Sequence, residues 1–169
     1  IRTLALDGIL QHSQSEAANL LIEATSYDLV LSHFFEWAST NDTVLKGQDV
    51  KSLWFELLTN ASTTPIPAAS CNNTNCYSNV SDEDIRFNAQ RYLGFVKDLG
   101  DGSSWDTLAS ALYNASQGDA SALSTTLTDP SVWSFLAIGC LDWTHRASST
   151  LPDILAQQTM AKEYAPLTK

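Results

Sequence analysis

Ala137-Ile138-Gly139-Cys140-Leu141-Asp142-Trp143 places a cysteine, a carboxylate and a tryptophan within four consecutive positions. The stretch ends an apolar run that begins at Val132. A carboxylate among apolar neighbours is costly unless it is paired or faces a cleft. Asp142 therefore has two interpretations: it caps the next turn or pairs with Arg146, or it receives a positively charged ligand beside Trp143. We expect the rest of the chain to form a helical layer around this segment.

The charge balance of the chain limits its partners. Its 169 residues carry a formal net charge of -10, and the isoelectric point is about 4.4. Since a polyanion would be repelled, neither nucleic acid nor an anionic membrane surface is expected as a partner. No apolar run approaches the roughly 18 residues of a membrane-spanning helix, and residues 1–8 lack the pattern of a signal peptide. The length suits one domain.

Two features are typical of a secreted, extracellular glycoprotein. The cysteines Cys71 and Cys76 flank four polar residues, and in an oxidising compartment a disulfide would close this loop. A zinc site is not expected there, because no histidine lies nearby. Glycosylation sequons of the form Asn-x-Ser/Thr occur at five positions, namely Asn41, Asn60, Asn72, Asn79 and Asn114.

The residue pattern predicts a mostly α-helical chain with one strand. Residues 1–10 are predicted to form that strand, because Leu4, Leu6 and Ile9 are apolar and Asp7-Gly8 breaks the run. No second convincing strand follows. Since a strand must pair its backbone groups, this one is expected to join a sheet outside the chain.

Helical periodicity and capping residues divide most of the remaining chain into helices. Residues 60–80 are expected to form a long loop, and residues 131–138 either a helix or an extended run. Four tryptophans, at positions 37, 54, 105 and 133, are predicted to lie in the core. Residues 15–23 are expected to form either a short helix or an ordered lid segment. Helices are predicted from Ser26 or Asp28 to about Thr40, at 48–59, from Ser81 past Val96, from Ser103 or Ser104 to Gly118, at 120–127, and from Thr150 or Pro152 to about Tyr164.

Motifs that would carry chemistry are sparse. The sequence has no Gly-x-Ser-x-Gly, no phosphate-binding glycine loop and no His-Glu-x-x-His. His33 and Glu36 lie three residues apart on one predicted helix, but no second such pair completes a metal site. No metal or other cofactor is therefore expected. Asp82 and Asp84 are interpreted as acids at a helix N-terminus.

Several motifs, taken in order, resemble a known family. Arg2-Thr3-Leu4-Ala5-Leu6-Asp7-Gly8-Ile9 resembles the core strand that follows the nucleophile-bearing helix in α/β-hydrolases. The rest resembles the helical cap of secreted tripeptidyl-aminopeptidase-like hydrolases, relatives of the prolyl aminopeptidases. The Ser/Thr richness and sequon density are similar to those of fungal members. The cap resemblance rests on Phe34-Phe35-Glu36-Trp37, Ser81-Asp82-Glu83-Asp84-Ile85-Arg86, Trp105-Asp106-Thr107-Leu108-Ala109-Ser110-Ala111-Leu112 and the opening stretch.

This resemblance implies that residues 1–10 are a core strand and residues 11–169 a single helical cap region of a larger α/β-hydrolase. The serine, acid and histidine of the triad would lie outside the chain, so no catalytic residue is assigned and the isolated chain should be inactive. Cys140 would pair with a cysteine beyond Lys169. The partners implied are the remaining hydrolase core and a small peptide or ester substrate. Substrate binding is assigned to Asp142, Trp143 and Glu36, and of these the two acids, Asp142 and Glu36, would receive a free amine.

A second hypothesis belongs to another functional class. The chain could be a free-standing secreted helical binding protein, with an apolar pocket among its tryptophan and phenylalanine residues. This hypothesis requires residues 1–10 to pack within the chain and Cys140 to be a buried free thiol.

Overall fold

The described part of the chain is mostly helical, as the sequence predicts. The structure is a computed structural model that describes residues 15–72, 74–94, 96, 104–126, 133–134, 137 and 150–168. The strand predicted at 1–10 and the segment predicted at 131–138 thus lie wholly or largely outside the described residues. The elements are α1 (Glu16–Asn41), α2 (Val50–Thr63), β1 (Ile66–Pro67), β2 (Asn79–Val80), α3 (Asp82–Gln90), α4 (Trp105–Ser116), a 3-10 turn (Ser121–Leu123) and α5 (Leu151–Tyr164).

Helix α1 is one continuous helix of 26 residues, so the predicted break between 23 and 26 is wrong. The physical reason is visible in the hydroxyl groups at the expected break. Thr25 Oγ1 donates to the carbonyl of Leu21 at 2.7 Å, and Ser26 Oγ donates to that of Ile22 at 2.7 Å. These bonds back to the preceding turn let both residues remain inside a helix instead of capping a new one.

Helix α2 begins after its N-cap Asp49 and continues to Thr63, four residues beyond the predicted end. The extension buries Ala61 completely. The expected loop at 60–80 then contains a short antiparallel ladder in which Ile66 faces Val80. The expectation of no further strand was therefore wrong, because two residues are too few to show an alternating pattern.

The predicted disulfide between Cys71 and Cys76 is confirmed. It closes the loop between the two strands of the ladder. Cys76 also forms an isolated antiparallel bridge with Thr125. That bridge fixes the disulfide loop to the segment after the 3-10 turn, where the sequence predicts a longer helix at 120–127.

The start of α3 is confirmed, with Ser81 and Asp84 forming a reciprocal capping box. Ser81 N donates to Asp84 Oδ2 at 2.8 Å. The helix ends at Gln90, earlier than predicted, and Tyr92 and Leu93 are buried in the turn that follows. The start of α4 at Ser104 is confirmed as well. Its end is followed by Gly118 at φ +94, a conformation that glycine adopts without strain.

The core centres on aromatic rings from three helices. Phe34, Phe35 and Trp54 are at most 6% exposed. Trp105, which is 9% exposed, meets Phe34 edge to face with ring centroids 6.0 Å apart. Core placement is thus confirmed for Trp54 and Trp105, while Trp37 is half-buried.

The prediction for the fourth tryptophan was wrong, because the Trp133 side chain is 59% exposed. Helical spacing of apolar residues identifies a face of a helix, but it does not supply a partner for that face. Trp133 therefore shows where periodicity alone fails as a predictor of burial.

Helix α5 packs along α1 and starts after Thr150, as predicted. Thr150 N donates to Asp153 Oδ2 at 2.8 Å. The tail that follows α5 is held by two bonds to the helical layer: Leu167 N donates to Asp28 Oδ1 at 2.6 Å, and Trp54 Nε1 donates to the Leu167 carbonyl at 2.9 Å. Within the described residues, no helix is long and apolar enough to span a bilayer.

Asp119 ties two loops together, and this makes it a source of pH-dependent stability. Its Oδ1 accepts from the hydroxyl of Ser121, from Ala69 N at 3.1 Å and from Ser121 N at 3.0 Å. These hydrogen bonds, the one from the Ser121 hydroxyl foremost, lower the pKa of Asp119 below its usual 3.8. A carboxyl with a lowered folded-state pKa stabilises the fold above its unfolded pKa, and that contribution is lost as pH falls through the folded one.

We therefore expect the unfolding free energy of the protein to fall more steeply between about pH 5 and about pH 3 than that of Asp119→Asn, which cannot titrate. Urea denaturation of both proteins across this range measures the difference. If the two pH profiles were parallel, the hydrogen bonds to Asp119 would not favour its charged form.

Candidate functional site

Glu36 is the one predicted substrate-binding residue that the structure describes. Asp142, Trp143 and also Cys140 lie outside the described residues. Glu36 is exposed on α1 and lines a cavity of about 430 Å³, which we call the Glu36 groove. Its walls are α1, the start of α2 and the tail, where Leu167 contributes to the lining.

The charge in the Glu36 groove is mixed. Asp49, the N-cap of α2, lines the groove and accepts from Ser52 N at 3.0 Å and from Ser52 Oγ at 2.8 Å. The backbone bond first, and then the side-chain bond, lower the pKa of Asp49. Asp49 thus remains ionised near Glu36, while Lys51 contributes a positive charge to the same lining.

A second cavity, of about 440 Å³, lies between α1, α3 and α5. We call it the acidic groove, because its lining contains more carboxylates than cations. It resembles a binding pocket in its volume, which falls within the range typical of small-molecule sites. Its titratable lining residues are Glu23, Tyr27, Asp82, Glu83, Arg86 and Lys162.

The acids that α3 contributes to the acidic groove also stabilise the start of their own helix. Asp82 and Glu83 occupy the first turn, where the positive end of the helix dipole favours negative charge. Asp82 also forms an ion pair with Arg86, one turn further along α3. The first-turn position of Asp82 and Asp84 confirms the prediction that they are acids of a helix N-terminus. The ion pair with Arg86 leaves Asp82 partly neutralised.

The remaining acids of the groove are less compensated. Neither Glu23 nor Glu83 forms an ion pair with another described residue. Burial, and secondarily the nearby Glu23 carboxylate, raise the pKa of Tyr27. The Tyr27 hydroxyl therefore stays neutral and can donate a hydrogen bond. Three carboxylates against two cations suit this groove to a ligand with a positive charge.

Glu23, Tyr27 and Lys162 were not identified from the sequence. Glu23 and Tyr27 are four residues apart on α1, so their shared face could have been read from the helix period. Their proximity to Lys162 could not, because it depends on how α5 packs on α1. The two grooves are also distinct, since Glu36 and Glu23 are thirteen positions apart on one helix, roughly 20 Å along its axis.

His33 is exposed on α1. Among the described residues, no cluster of three or more His, Cys, Asp or Glu side chains could hold a metal ion. The half-site of His33 and Glu36 is therefore not completed by the part of the chain that the structure describes.

The asparagines of all five sequons are exposed, namely Asn41, Asn60, Asn72, Asn79 and Asn114. Asparagines outside sequons are less uniform: Asn88 is buried and Asn19 half-buried, whereas Asn75 is exposed. The acceptor asparagine of every sequon therefore lies at the surface, as glycosylation requires.

Comparison of the chain with protein-family models, with curated proteins and with solved structures gave no match.

Proposed function

We propose that this chain is the helical cap region of a secreted serine hydrolase similar to the tripeptidyl-aminopeptidase-like enzymes. The cap shapes the substrate cleft and excludes water, while a catalytic core outside these residues breaks the bond. Residues 1–10 belong to the sheet of that core, and Cys140 pairs with a cysteine beyond Lys169. The observation that carries the proposal is the surface of α5.

Helix α5 has 14 residues and none of them is buried. Its packing along α1 leaves its side chains half-buried at most, so that contact alone removes little of its apolar surface from water. Leu151, Ile154 and Leu155 share one side of α5 at i, i+3 and i+4, and they are 67%, 54% and 50% exposed. Exposed apolar side chains that lie along one side of a helix are suited to contact with another protein surface. We propose that this α5 stripe packs against the hydrolase core.

The proposed substrate is a small peptide or an ester. A free amine would be favoured by the negative charge of the acidic groove and of the Glu36 groove. Asp142 and Trp143 remain the substrate-binding residues that the family resemblance proposes. In the full-length parent, Asp142→Asn and Glu36→Gln should raise KM for free-amine substrates and leave N-acylated ones unchanged. Glu163→Gln, which changes an exposed acid on α5, is the matched control.

Secretion is supported by two observations. The disulfide between Cys71 and Cys76 requires an oxidising compartment to persist. All five sequon asparagines are accessible to a glycan. We propose that the parent is an extracellular glycoprotein.

The isolated chain is expected to leave a fluorophosphonate probe unreacted and to hydrolyse neither aminoacyl nor ester substrates. The parent is expected to react at a serine outside these 169 residues. Probe labelling followed by peptide mass spectrometry locates the modified residue. Labelling of any serine within the isolated chain, together with hydrolysis, would overturn the proposal.

The binding-protein hypothesis finds less support in the described residues. It needs an apolar pocket among tryptophan and phenylalanine side chains. Phe34, Phe35, Trp54 and Trp105 are instead buried and pack in pairs within the core. Their rings fill the interior that such a pocket would occupy.

A further inference from the structure

A third cavity, of about 640 Å³, lies between the end of α2, the strand β1 and the end of α4. We call it the Asn60 groove. Its apolar lining includes Leu57, Pro65, Ile66 and Pro67. Leu57 and Ile66 are nearly buried, at 4% and 8% exposure, so the floor of the groove is continuous with the core.

The rim of the Asn60 groove is polar and almost uncharged. Hydroxyl groups come from Thr59, Thr63 and Thr64 on one side and from Ser116 on the other. The lining contains a single ionisable side chain, that of Glu56. An apolar floor with a neutral hydrogen-bonding rim matches a ligand that has an apolar face and hydroxyl edges, and a sugar ring is such a ligand.

Asn60 itself lines this groove, and its exposed amide belongs to the sequon Asn60-Ala61-Ser62. A glycan attached there would begin at the rim of the cavity. Because the tether makes the contact intramolecular, even a weak sugar–protein interaction would be populated at the high effective concentration it creates.

We propose that the N-linked glycan on Asn60 folds back onto the Asn60 groove and covers its apolar floor with its first sugars. The proposal rests on the secretion proposed above, since only a secretory host adds this glycan. Once attached, the glycan stabilises the end of α2 against β1 and α4, and it shields the exposed lining residues Pro65 and Pro67 from water.

The sequon at Asn41 provides a matched comparison. Asn41 lies in the last turn of α1, as Asn60 lies in the last turn of α2. It is exposed, and it lines none of the three grooves described above. A glycan on Asn41 is therefore expected to extend into solvent without a groove to cover.

The experiment produces this chain in a secretory eukaryotic host and in bacteria, with sequon occupancy determined by peptide mass spectrometry. Asn60→Gln and Ser62→Ala both destroy the sequon and so prevent glycosylation of Asn60, but each changes a different residue. Both should lower the Tm of the secreted protein by about 2–4 °C, the shift that follows from roughly 1 kcal/mol in a chain of this size. Asn41→Gln and Thr43→Ala should shift it by less than about 1 °C. When made in bacteria, all four variants should have the same Tm as the unsubstituted chain made in bacteria.

A second readout does not depend on stability. An endoglycosidase should release the Asn60 glycan from the native protein more slowly than the Asn41 glycan, and the two rates should become equal after denaturation. Three results would overturn the groove proposal but not the proposed secretion. In the first, Asn60 carries a glycan and its removal leaves Tm unchanged; in the second, the Asn60 variants made in bacteria lose as much Tm as the secreted ones. In the third, Asn60 carries no glycan while other sequons do. Absence of glycan at every sequon would overturn the proposed secretion, and this inference with it.

Discussion

Replacing Trp54 with alanine is expected to lower the free energy of unfolding by about 3–5 kcal/mol. The Trp54 side chain is 1% exposed, and its ring centroid lies 6.2 Å from that of Phe35. Its Nε1 also donates to the carbonyl of Leu167 at 2.9 Å, which fastens the tail after α5 to α2. The substitution therefore removes core volume and leaves a carbonyl unpaired. Urea denaturation followed by circular dichroism measures the loss.

Two control substitutions separate these contributions. Trp54→Phe keeps an aromatic ring but loses the indole donor and part of the ring volume, so its effect should be smaller, about 1–3 kcal/mol. Trp133→Ala removes the same side chain from a site that is 59% exposed, and it should change stability by less than about 0.5 kcal/mol. Equal effects of Trp54→Ala and Trp133→Ala would contradict the placement of the core.

Phe34→Ala is expected to cost about 3–5 kcal/mol as well. Phe34 is fully buried, and its ring contacts three aromatic neighbours. The ring centroids lie 6.0 Å from Phe35, 6.3 Å from Trp37 and 6.0 Å from Trp105. Phe34 thus joins α1 to α4, and a cavity there would loosen the packing between the two helices.

A double-mutant cycle isolates the contact between Phe34 and Trp105. Phe34→Leu and Trp105→Leu each replace a ring with a smaller apolar side chain, so the cycle removes the edge-to-face contact, which should give a coupling energy of about 0.5–1.5 kcal/mol. Phe87→Ala, at a ring that is 41% exposed on α3, is the control for a surface phenylalanine. A coupling energy near zero would show that the two rings do not interact in the folded protein.

The helix starts were predictable because capping is local. Ser81 and Ser104 supply side-chain oxygens to backbone amides three residues ahead, so the information lies within one turn of sequence. The disulfide between Cys71 and Cys76 was predictable for the same reason. Gly118 marked the end of α4 because its positive φ favours a residue without a β-carbon.

What could not be predicted depends on partners distant in the chain. The ladder between Ile66 and Val80 is too short to show a period, and Trp133 has helical spacing without being buried. The acidic groove forms only when α5 packs on α1, and no local sequence pattern predicts that contact between distant parts of the chain. Glu36 was placed correctly on a helix, but its groove is separate from the acidic groove.

The acidic groove and the α5 stripe fit one arrangement in the proposed enzyme. Helix α5 forms one wall of the acidic groove and also carries the stripe. A hydrolase core packed on Leu151, Ile154 and Leu155 would therefore lie beside the acidic groove. Such a neighbour would let negative charge on the cap orient the amine end of a substrate near the catalytic serine.

The intact mass of the deglycosylated native protein, purified from its source after fluorophosphonate labelling, tests the central proposal most directly. We predict a mass well above the 18.4 kDa of this chain, with the label on a serine outside its sequence and Cys140 disulfide-linked to a cysteine beyond Lys169. A mass of 18.4 kDa, no label and a free Cys140 thiol would contradict the cap proposal and favour a free-standing binding protein.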